Sequence, residues 1–293
     1  MLKLNDPSLW SRTFIEITEK ARKVIVRIIR YRDKNGDSGY AVQKADGVAL
    51  RIKGDILGEF KITRENAKVE KLLAPILPST IWCIGLNYRR HAWESGAPIP
   101  EYPVLFAKCP SAVQNPGDPI EIPTHLKSGK VDFECELAVV IGKTCKNVDR
   151  SKALDYVLGY TCSNDVSARD WQLERGGTQW CRGKTFDTFA PLGPCLVTKE
   201  DIPNPNSLRI QTILNGLVMQ DSNTADMIFD VPALVEFLAG STTLAPGTVI
   251  MTGTPQGIGG ARNPPVFLKP GDQISIVVEH IGTLTNPVVE EPS

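Results

Sequence analysis

VDFECELAVVIG, residues 131–142, has the composition of a β-strand buried on both faces, because apolar residues fill it almost continuously. Glu134 and Glu136 interrupt this run. Positions i and i+2 of a strand point to the same face, about 6.5–7 Å apart, so the two carboxylates are expected side by side at an apolar layer. Burying an unpaired carboxylate costs several kcal/mol. The segment therefore raises the question of what compensates these charges.

Two explanations are open for this pair of glutamates. An edge strand with one solvated face would need no compensation, although the flanking apolar run LAVVIG argues against such a face. A divalent cation would offset the burial, and all-oxygen ligands favour Mg²⁺, Ca²⁺ or Mn²⁺ over zinc. Asp165 follows a second buried run, LGYTCSND, and is a plausible third ligand because strand ends meet in space.

The rest of the chain is rich in short strands. Apolar segments bounded by Pro and Gly recur from residue 79 onward, and only 150–159 and 231–240 have extended helical periodicity. Short helices are also predicted over 66–75 and 89–96, and residues 1–20 as a helical or irregular lead. The pattern predicts a mixed, mostly antiparallel β fold with few helices, of the roll or barrel-like type. We expect a small β-rich subdomain over 1–74 and a larger domain over 75–293.

Composition excludes several classes of function. The 293 residues carry a formal net charge of zero, so nucleic acid is not an expected partner. No stretch of about 18 apolar residues exists, so no membrane span is expected. The N-terminus has no apolar signal core, which favours a cytoplasmic location, and the seven cysteines without a C-x-x-C pair favour reduced thiols. Three histidines in unrelated segments exclude an H-E-x-x-H zinc site.

Two further groups of residues are candidates for catalysis. His91 and Glu94 are spaced i, i+3, so on a helical turn the carboxylate can orient the imidazole as a base. Lys184, in WCRGKTFDTF, can supply a buried cation for an oxyanion. Each also has a simpler interpretation, as a surface His beside a Glu and as a surface lysine with a partly buried stem.

A glycine-rich segment, MTGTPQGIGG at 251–260, follows an apolar strand. Its backbone N–H groups could bind an anion, or Gly257–Gly260 could form a tight turn. It lacks the G-K-[ST] of a Walker loop, and no helix can start at the following ARNPPVF, so nucleotide binding is not expected. Thr252 and Thr254 are better candidates for contact with a substrate.

Taken together, several segments resemble the fumarylacetoacetate hydrolase family. They occur in the family's order across roughly residues 80–287, and their number and spacing make the resemblance specific. The FLKPGD segment and the β-rich N-terminal section resemble one branch of that family more than its dehydratases or full-length fumarylacetoacetases. The matching segments are IGLNYRRHAWESG, PVLFAKCPSAVQNPGDPI, VDFECELAVVIG, GYTCSNDVSARDWQ, RGKTFDTFAPLGP, LNG at 214–216, MIFDVPALVEFL and TVIMTGTPQGIG.

The resemblance implies a β-sandwich roll around Mg²⁺, or alternatively Mn²⁺ or Ca²⁺, in a homodimer. The implied metal ligands, catalytic residues and substrate-binding residues can be carried over position by position, and none of the expected residues is missing. The ligands are Glu134, Glu136 and Asp165; the catalytic residues are His91 and Glu94, on a mobile lid, and Lys184; the substrate-binding residues are Arg169, Gln172, Gly253 and Thr254.

These residues suit enolate chemistry on a 2-oxo acid or a 1,3-dicarbonyl compound. The leading interpretation is a metal-dependent hydrolase that cleaves a C–C bond in an acylpyruvate-like substrate, with His91 activating water. Decarboxylation or keto–enol tautomerisation of oxaloacetate on the same site is the alternative. A tailoring enzyme for a bulky polyketide-like diketone and a catalytically silent metal-binding protein are further alternatives.

Overall fold

The computed structural model describes residues 25–292 and confirms a mostly β fold with few helices. The three α-helices are α1 (Arg89–Glu94), α2 (Cys181–Lys184) and α3 (Val231–Ala239). The strands are β1 (Arg27–Arg32), β2 (Ser38–Gln43), β3 (Ala49–Gly54), β4 (Phe60–Asn66), β5 (Lys71–Leu73), β6 (Ile81–Gly85), β7 (Val104–Lys108), β8 (Val113–Gln114), β9 (Ile120–Ile122), β10 (Val131–Asp132), β11 (Cys135–Ile141), β12 (Val157–Asn164), β13 (Ser167–Ala168), β14 (Ala190–Thr198), β15 (Arg209–Leu214), β16 (Leu217–Asn223), β17 (Val249–Met251), β18 (Gln273–Val278) and β19 (Gly282–Glu290).

Two large open sheets contain most of the strands of residues 25–292. The first has the strand order β4-β3-β2-β1-β14-β12-β11-β17-β6-β7, with β5 added to β1 and β8 added to β14. The second has the order β16-β15-β18-β19-β9, and β10 pairs separately with β13. Most pairs are antiparallel, as predicted, whereas β17–β6, β14–β8 and β19–β9 are parallel. Each large sheet ends in two different edge strands, so neither closes into a barrel.

Strand β11 lies in the interior of the first sheet and carries the segment that opened the sequence analysis. It pairs with β12 on one side and β17 on the other, and all seven of its residues are buried. Leu137 and Val139 contribute to one apolar cluster, whereas Ala138 and Val140 contribute to the other. Because side chains alternate along a strand, Glu136 lies on the face of Ala138. A solvated edge strand is therefore not the explanation for this glutamate.

The helix predictions had mixed outcomes. Helix α3 is confirmed, and its first turn is capped by the Asp230 side chain, which accepts a hydrogen bond from the Ala233 N–H at 3.0 Å. The helix predicted over 66–75 is wrong, because residues 71–73 form β5 and pair with β1. The periodic segment at 150–159 forms a 3₁₀ helix, Arg150–Tyr156, and then enters β12. In both places pairing with a neighbouring strand outweighs local periodicity.

Other predictions concern the ends of the chain and its division. The lead over residues 1–20 lies outside the described residues. The boundary at 74/75 stays a prediction; β1 pairs with β14, so the N-terminal strands continue the first sheet. None of the helices over residues 25–292 is long and apolar enough to cross a membrane. The seven cysteines are all free thiols.

Candidate active site

Three acidic side chains meet where β11 begins and β12 ends. Glu134 directly precedes β11, Glu136 lies within it, and Asp165 directly follows β12. The pairing of Cys135 with Asn164 and a 2.9 Å hydrogen bond from the Asp165 N–H to the Glu134 carbonyl hold the two strand ends together. One carboxylate oxygen from each acid lies within 4.8 Å of the others, and all three residues are buried. The structure thus brings together the three predicted metal ligands.

Two buried cations contact Glu134 of this acidic triad. The Lys184 Nζ lies 2.9 Å from Glu134 Oε2 and 2.7 Å from Asp165 Oδ2, and Arg169 Nη1 lies 2.6 Å from Glu134 Oε1. Burial alone would raise the pKa of Glu134, but Lys184 and Arg169 outweigh it and hold that pKa well below its ordinary value. Burial opposes the charge of Lys184, yet Asp165 and Glu134 raise its pKa. Lys184 is therefore a buried ammonium, not a surface lysine.

Glu136 differs from the other two acids. One of its oxygens accepts a hydrogen bond from the Gly253 N–H at 2.8 Å. Burial raises its pKa well above the ordinary value, and the neighbouring Asp165 and Glu134 carboxylates raise it further. A divalent cation would relieve this repulsion, and the three carboxylates are the hard oxygen ligands that Mg²⁺, Mn²⁺ and Ca²⁺ prefer. The residues present therefore fit a divalent cation.

Lys108 is a third buried cation of this network, which the sequence analysis missed. It ends β7 with a side chain that is wholly buried, and its Nζ lies 2.7 Å from Asp165 Oδ1. It also donates to the carbonyls of Val166 at 2.9 Å, Phe189 at 2.8 Å and Lys184. Burial lowers the pKa of Lys108, although Asp165 opposes that shift. The sequence feature that could have identified Lys108 is its position at the end of the apolar segment PVLFAK.

Replacing Lys108 with methionine is expected to destabilise the fold by about 3–5 kcal/mol, because the Asp165 carboxylate and three carbonyls would lose a buried partner. Chemical denaturation measures the free energy of unfolding. The control is Lys143→Met at an exposed position, expected to stay within about 0.5 kcal/mol. Equal unfolding midpoints for the two variants would show that Lys108 does not support the site.

The His91–Glu94 pair lies on α1, and hydrogen bonds hold the Glu94 carboxylate in place. His91 Nδ1 is 3.4 Å from Glu94 Oε2, and His91 is 8 % exposed. Both Glu94 oxygens lie 3.0 Å from the Gly257 N–H, which donates to them. Burial would raise the pKa of Glu94, but the His91 ring and the Gly257 N–H together lower it. When Nδ1 carries the proton and faces Glu94, Nε2 is left as the basic nitrogen.

The glycine-rich loop at 257–260 binds anions, and these anions belong to the protein itself. The Gly259 N–H donates to Asp132 Oδ1 and the Gly260 N–H to Asp132 Oδ2, each at 2.8 Å. Gly257 serves Glu94 in the same way. Gly259 has no room for a side chain, because an added Cβ would lie 1.8 Å from the Val266 carbonyl oxygen and 2.6 Å from Asp132 Oδ1. The loop is thus occupied by internal carboxylates.

The predicted substrate-binding residues of the T-G-T segment are near the triad, but their polar groups already have partners. The Thr254 hydroxyl donates to the Cys135 carbonyl at 3.0 Å and accepts from Gln220 Nε2 at 2.9 Å. Thr252 donates to the Leu137 carbonyl at 2.8 Å, and the Gly253 N–H is bonded to Glu136. Substrate contact by these residues stays a prediction. In the structure, their hydrogen bonds attach the T-G-T segment to β11.

Arg169 and Gln172 are brought to the same site. Arg169 Nη1 donates to Gln172 Oε1 at 2.9 Å and contacts Glu134, whereas Nε donates to Asp132 Oδ2 at 2.9 Å. Arg169 Nη2 is buried and has no hydrogen-bond partner among the described residues. A buried guanidinium N–H without an acceptor is costly, and contact of Arg169 or Gln172 with a substrate stays a prediction.

Comparison with known proteins identifies the family. The model of the fumarylacetoacetate (FAA) hydrolase C-terminal family matches residues 80–289. The chain belongs to this family. The match includes every residue of the site just described, from His91 to Gly260.

Two relatives of this chain are named oxaloacetate tautomerases. The mitochondrial oxaloacetate tautomerase fahd2 of Xenopus laevis is 50% identical over 219 residues, 74% of this chain and 68% of that protein. Oxaloacetate tautomerase FAHD2A of Homo sapiens, also named mitochondrial, is 46% identical over 74% of this chain and 69% of that protein.

Solved structures of family members show the same fold. A 2-hydroxyhepta-2,4-diene-1,7-dioate isomerase from Mycobacterium marinum is 39% identical, with a TM-score of 0.78 over 92% of this chain and 100% of that chain. A fumarylacetoacetate hydrolase from Exiguobacterium antarcticum is 34% identical, with a TM-score of 0.80 over 91% of this chain and 100% of that chain.

Proposed function

We propose that this member of the fumarylacetoacetate hydrolase family is a divalent-metal-dependent enzyme that interconverts the keto and enol forms of oxaloacetate. The observation that carries the proposal is the buried acidic triad with Arg169 Nη2 beside it. The triad suits a cation, and Nη2 suits a carboxylate or carbonyl oxygen of a 2-oxo acid. The oxaloacetate tautomerases at 46–50% identity support this choice of reaction over hydrolysis.

Tautomerisation moves a proton between C3 and the C2 oxygen of oxaloacetate, and different residues bind the substrate, move the proton and stabilise the negative charge. A divalent cation held by Glu134, Glu136 and Asp165 would supply positive charge that favours the enolate form. His91, oriented by Glu94, takes the proton from C3 and passes it to the C2 oxygen, and it moves the proton back in the reverse direction. Arg169 holds a substrate carboxylate, and the Lys184 ammonium stabilises negative charge that develops on the oxygen.

Hydrolytic C–C cleavage of an acylpyruvate is the second candidate. The fixed His91–Glu94 pair favours it, because an oriented imidazole can activate water as well as move a proton. The named hydrolase from Exiguobacterium antarcticum, at 34% identity, has the same fold. The two candidates share every residue and differ in whether water attacks a carbonyl.

A substrate panel separates these activities. With Mg²⁺ or Mn²⁺ present, oxaloacetate enol loss is followed in the ultraviolet, pyruvate release reports decarboxylation, and acylpyruvates report hydrolysis. We expect the enol–keto rate to exceed the spontaneous rate and to exceed kcat for an acylpyruvate. Excess EDTA should abolish it, and Mg²⁺ or Mn²⁺ should restore it. Full activity in EDTA would show that the metal assignment is wrong.

Assembly and location complete the proposal. A homodimer is expected from the family resemblance, and light scattering at micromolar concentration tests it, with a monomer as the contrary result. A cytoplasmic location stays a prediction, and the names of the tautomerase relatives make mitochondria the alternative. Cell fractionation of the full chain decides between them.

A further inference from the structure

Asp132 is a buried carboxylate whose function the proposed reaction does not explain. It is 0 % exposed, ends β10 and lies two residues before Glu134. Oδ1 accepts from the Phe133 and Gly259 N–H groups at 2.8 Å, and Oδ2 accepts from the Gly260 N–H at 2.8 Å and from Arg169 Nε at 2.9 Å. Two donors reach each oxygen, so Asp132 has no capacity left for a substrate.

Asp132 helps to fix the orientation of the Arg169 guanidinium. Arg169 is tied to Asp132 through Nε and to Glu134 and Gln172 through Nη1. Asp132 and Glu134 raise the pKa of Arg169 against the effect of burial, which lowers it. These contacts fix the plane of the guanidinium, and the nitrogen left over is the buried Nη2 without a partner among the described residues.

We propose that Asp132 is a positioning residue that orients Arg169 so that Nη2 presents its N–H groups to a carboxylate of the substrate. The inference rests on the proposed function in one respect, that the ligand of Nη2 is an anionic oxygen of a 2-oxo acid. The Gly257–Gly260 loop also binds Glu94. The Gly257 N–H donates to the Glu94 carboxylate, and the Gly259 and Gly260 N–H groups donate to Asp132.

The first test is Asp132→Asn, with oxalate as the probe, a planar dicarboxylate resembling the enolate of a 2-oxo acid. Calorimetry with Mn²⁺ present should show oxalate binding weakened roughly 10- to 100-fold, the range for losing a hydrogen bond to a charged group. In catalysis KM for oxaloacetate should rise while kcat stays near wild type. The control is Asp272→Asn, another buried carboxylate, held by Asn215 and the Lys269 N–H outside this network.

Gly260→Ala tests the same inference without removing a buried charge, and serves if Asp132→Asn does not fold. A Cβ at residue 260 would lie 3.1 Å from Asp132 Oδ2, so this oxygen must shift by a few tenths of an ångström, whereas the 3.9 Å distance to Arg169 Cγ is an ordinary contact. We expect weaker oxalate binding in the same direction as for Asp132→Asn, but smaller. Gly58→Ala, whose nearest atom is 3.8 Å from the new Cβ, is the control.

Several results would overturn the positioning role. They are wild-type protein that does not bind oxalate, a folded Asp132→Asn variant with unchanged oxalate affinity, a loss confined to kcat, and Gly260→Ala that matches Gly58→Ala. Failure of the wild type to tautomerise oxaloacetate would instead count against the proposed function, because oxalate affinity is measured without turnover. The positioning role stands if the variants weaken oxalate binding even then.

Discussion

Replacing Glu136 with glutamine is expected to abolish cation-dependent activity while leaving the metal-free protein as stable as wild type or more stable. The two effects have opposite signs because the carboxylate is disfavoured in the folded protein. Burial, Asp165 and Glu134 raise the pKa of Glu136, so at neutral pH its ionised form costs free energy that the isosteric amide does not. The same charge is needed to hold a divalent cation, and its loss should reduce kcat/KM by roughly 10²–10³-fold or more.

Thermal unfolding with and without Mn²⁺ measures both effects. For wild type, a cation at 100 times its dissociation constant adds about 2.7 kcal/mol to the free energy of unfolding, and Glu136→Gln should lose this increment. Glu70→Gln at an exposed position is the control, and should keep the increment and stay within about 0.5 kcal/mol of wild type. Equal stabilisation of the wild type and Glu136→Gln by Mn²⁺ would remove Glu136 from the ligand set.

The sequence predicted much of this site because its chemistry conflicts with its surroundings. Glu134 and Glu136 stand in an apolar run, and a carboxylate in such a run needs a partner whatever the fold. Asp165 follows another buried run, so the pairing of the two strands brings it to the same place. The short helix that carries His91 and Glu94 could be predicted from i, i+3 spacing and the turn after it.

The parts that the sequence did not predict depend on contacts between distant segments. Lys108 meets Asp165 across 57 positions, and Gly259 meets Asp132 across 127. Alternation offered one missed signal, because Asp132 precedes Glu134 and Glu136 at the same two-residue spacing. The glycine-rich loop was correctly suspected of binding an anion, but only tertiary structure shows that the anions are Asp132 and Glu94. Strand β5 was missed for the same reason, since its pairing with β1 is not local.

Replacing His91 with alanine is expected to reduce kcat by roughly 10²–10⁴-fold, because the variant loses the proton-transferring group but keeps the acidic triad. Mn²⁺ affinity should stay within about a factor of two of wild type, since Lys184 and Arg169 still hold Glu134 in place. Glu94→Gln should cost less, because the imidazole remains and only its orientation is weakened. His125→Ala, at an exposed position, is the control and should keep full activity.

The same variant separates decarboxylation from the two reactions of this site that need a base. Tautomerisation and hydrolysis both need a base, so His91→Ala should slow the enol–keto reaction and any acylpyruvate cleavage by similar factors. Decarboxylation needs only a cation that accepts the developing charge, so pyruvate release from oxaloacetate should fall far less. The comparison uses one protein sample, one substrate and two products, which cancels differences in active fraction. A His91→Ala variant that keeps near wild-type kcat for tautomerisation would contradict the proton-transfer role of His91 while leaving the carboxylate site in place.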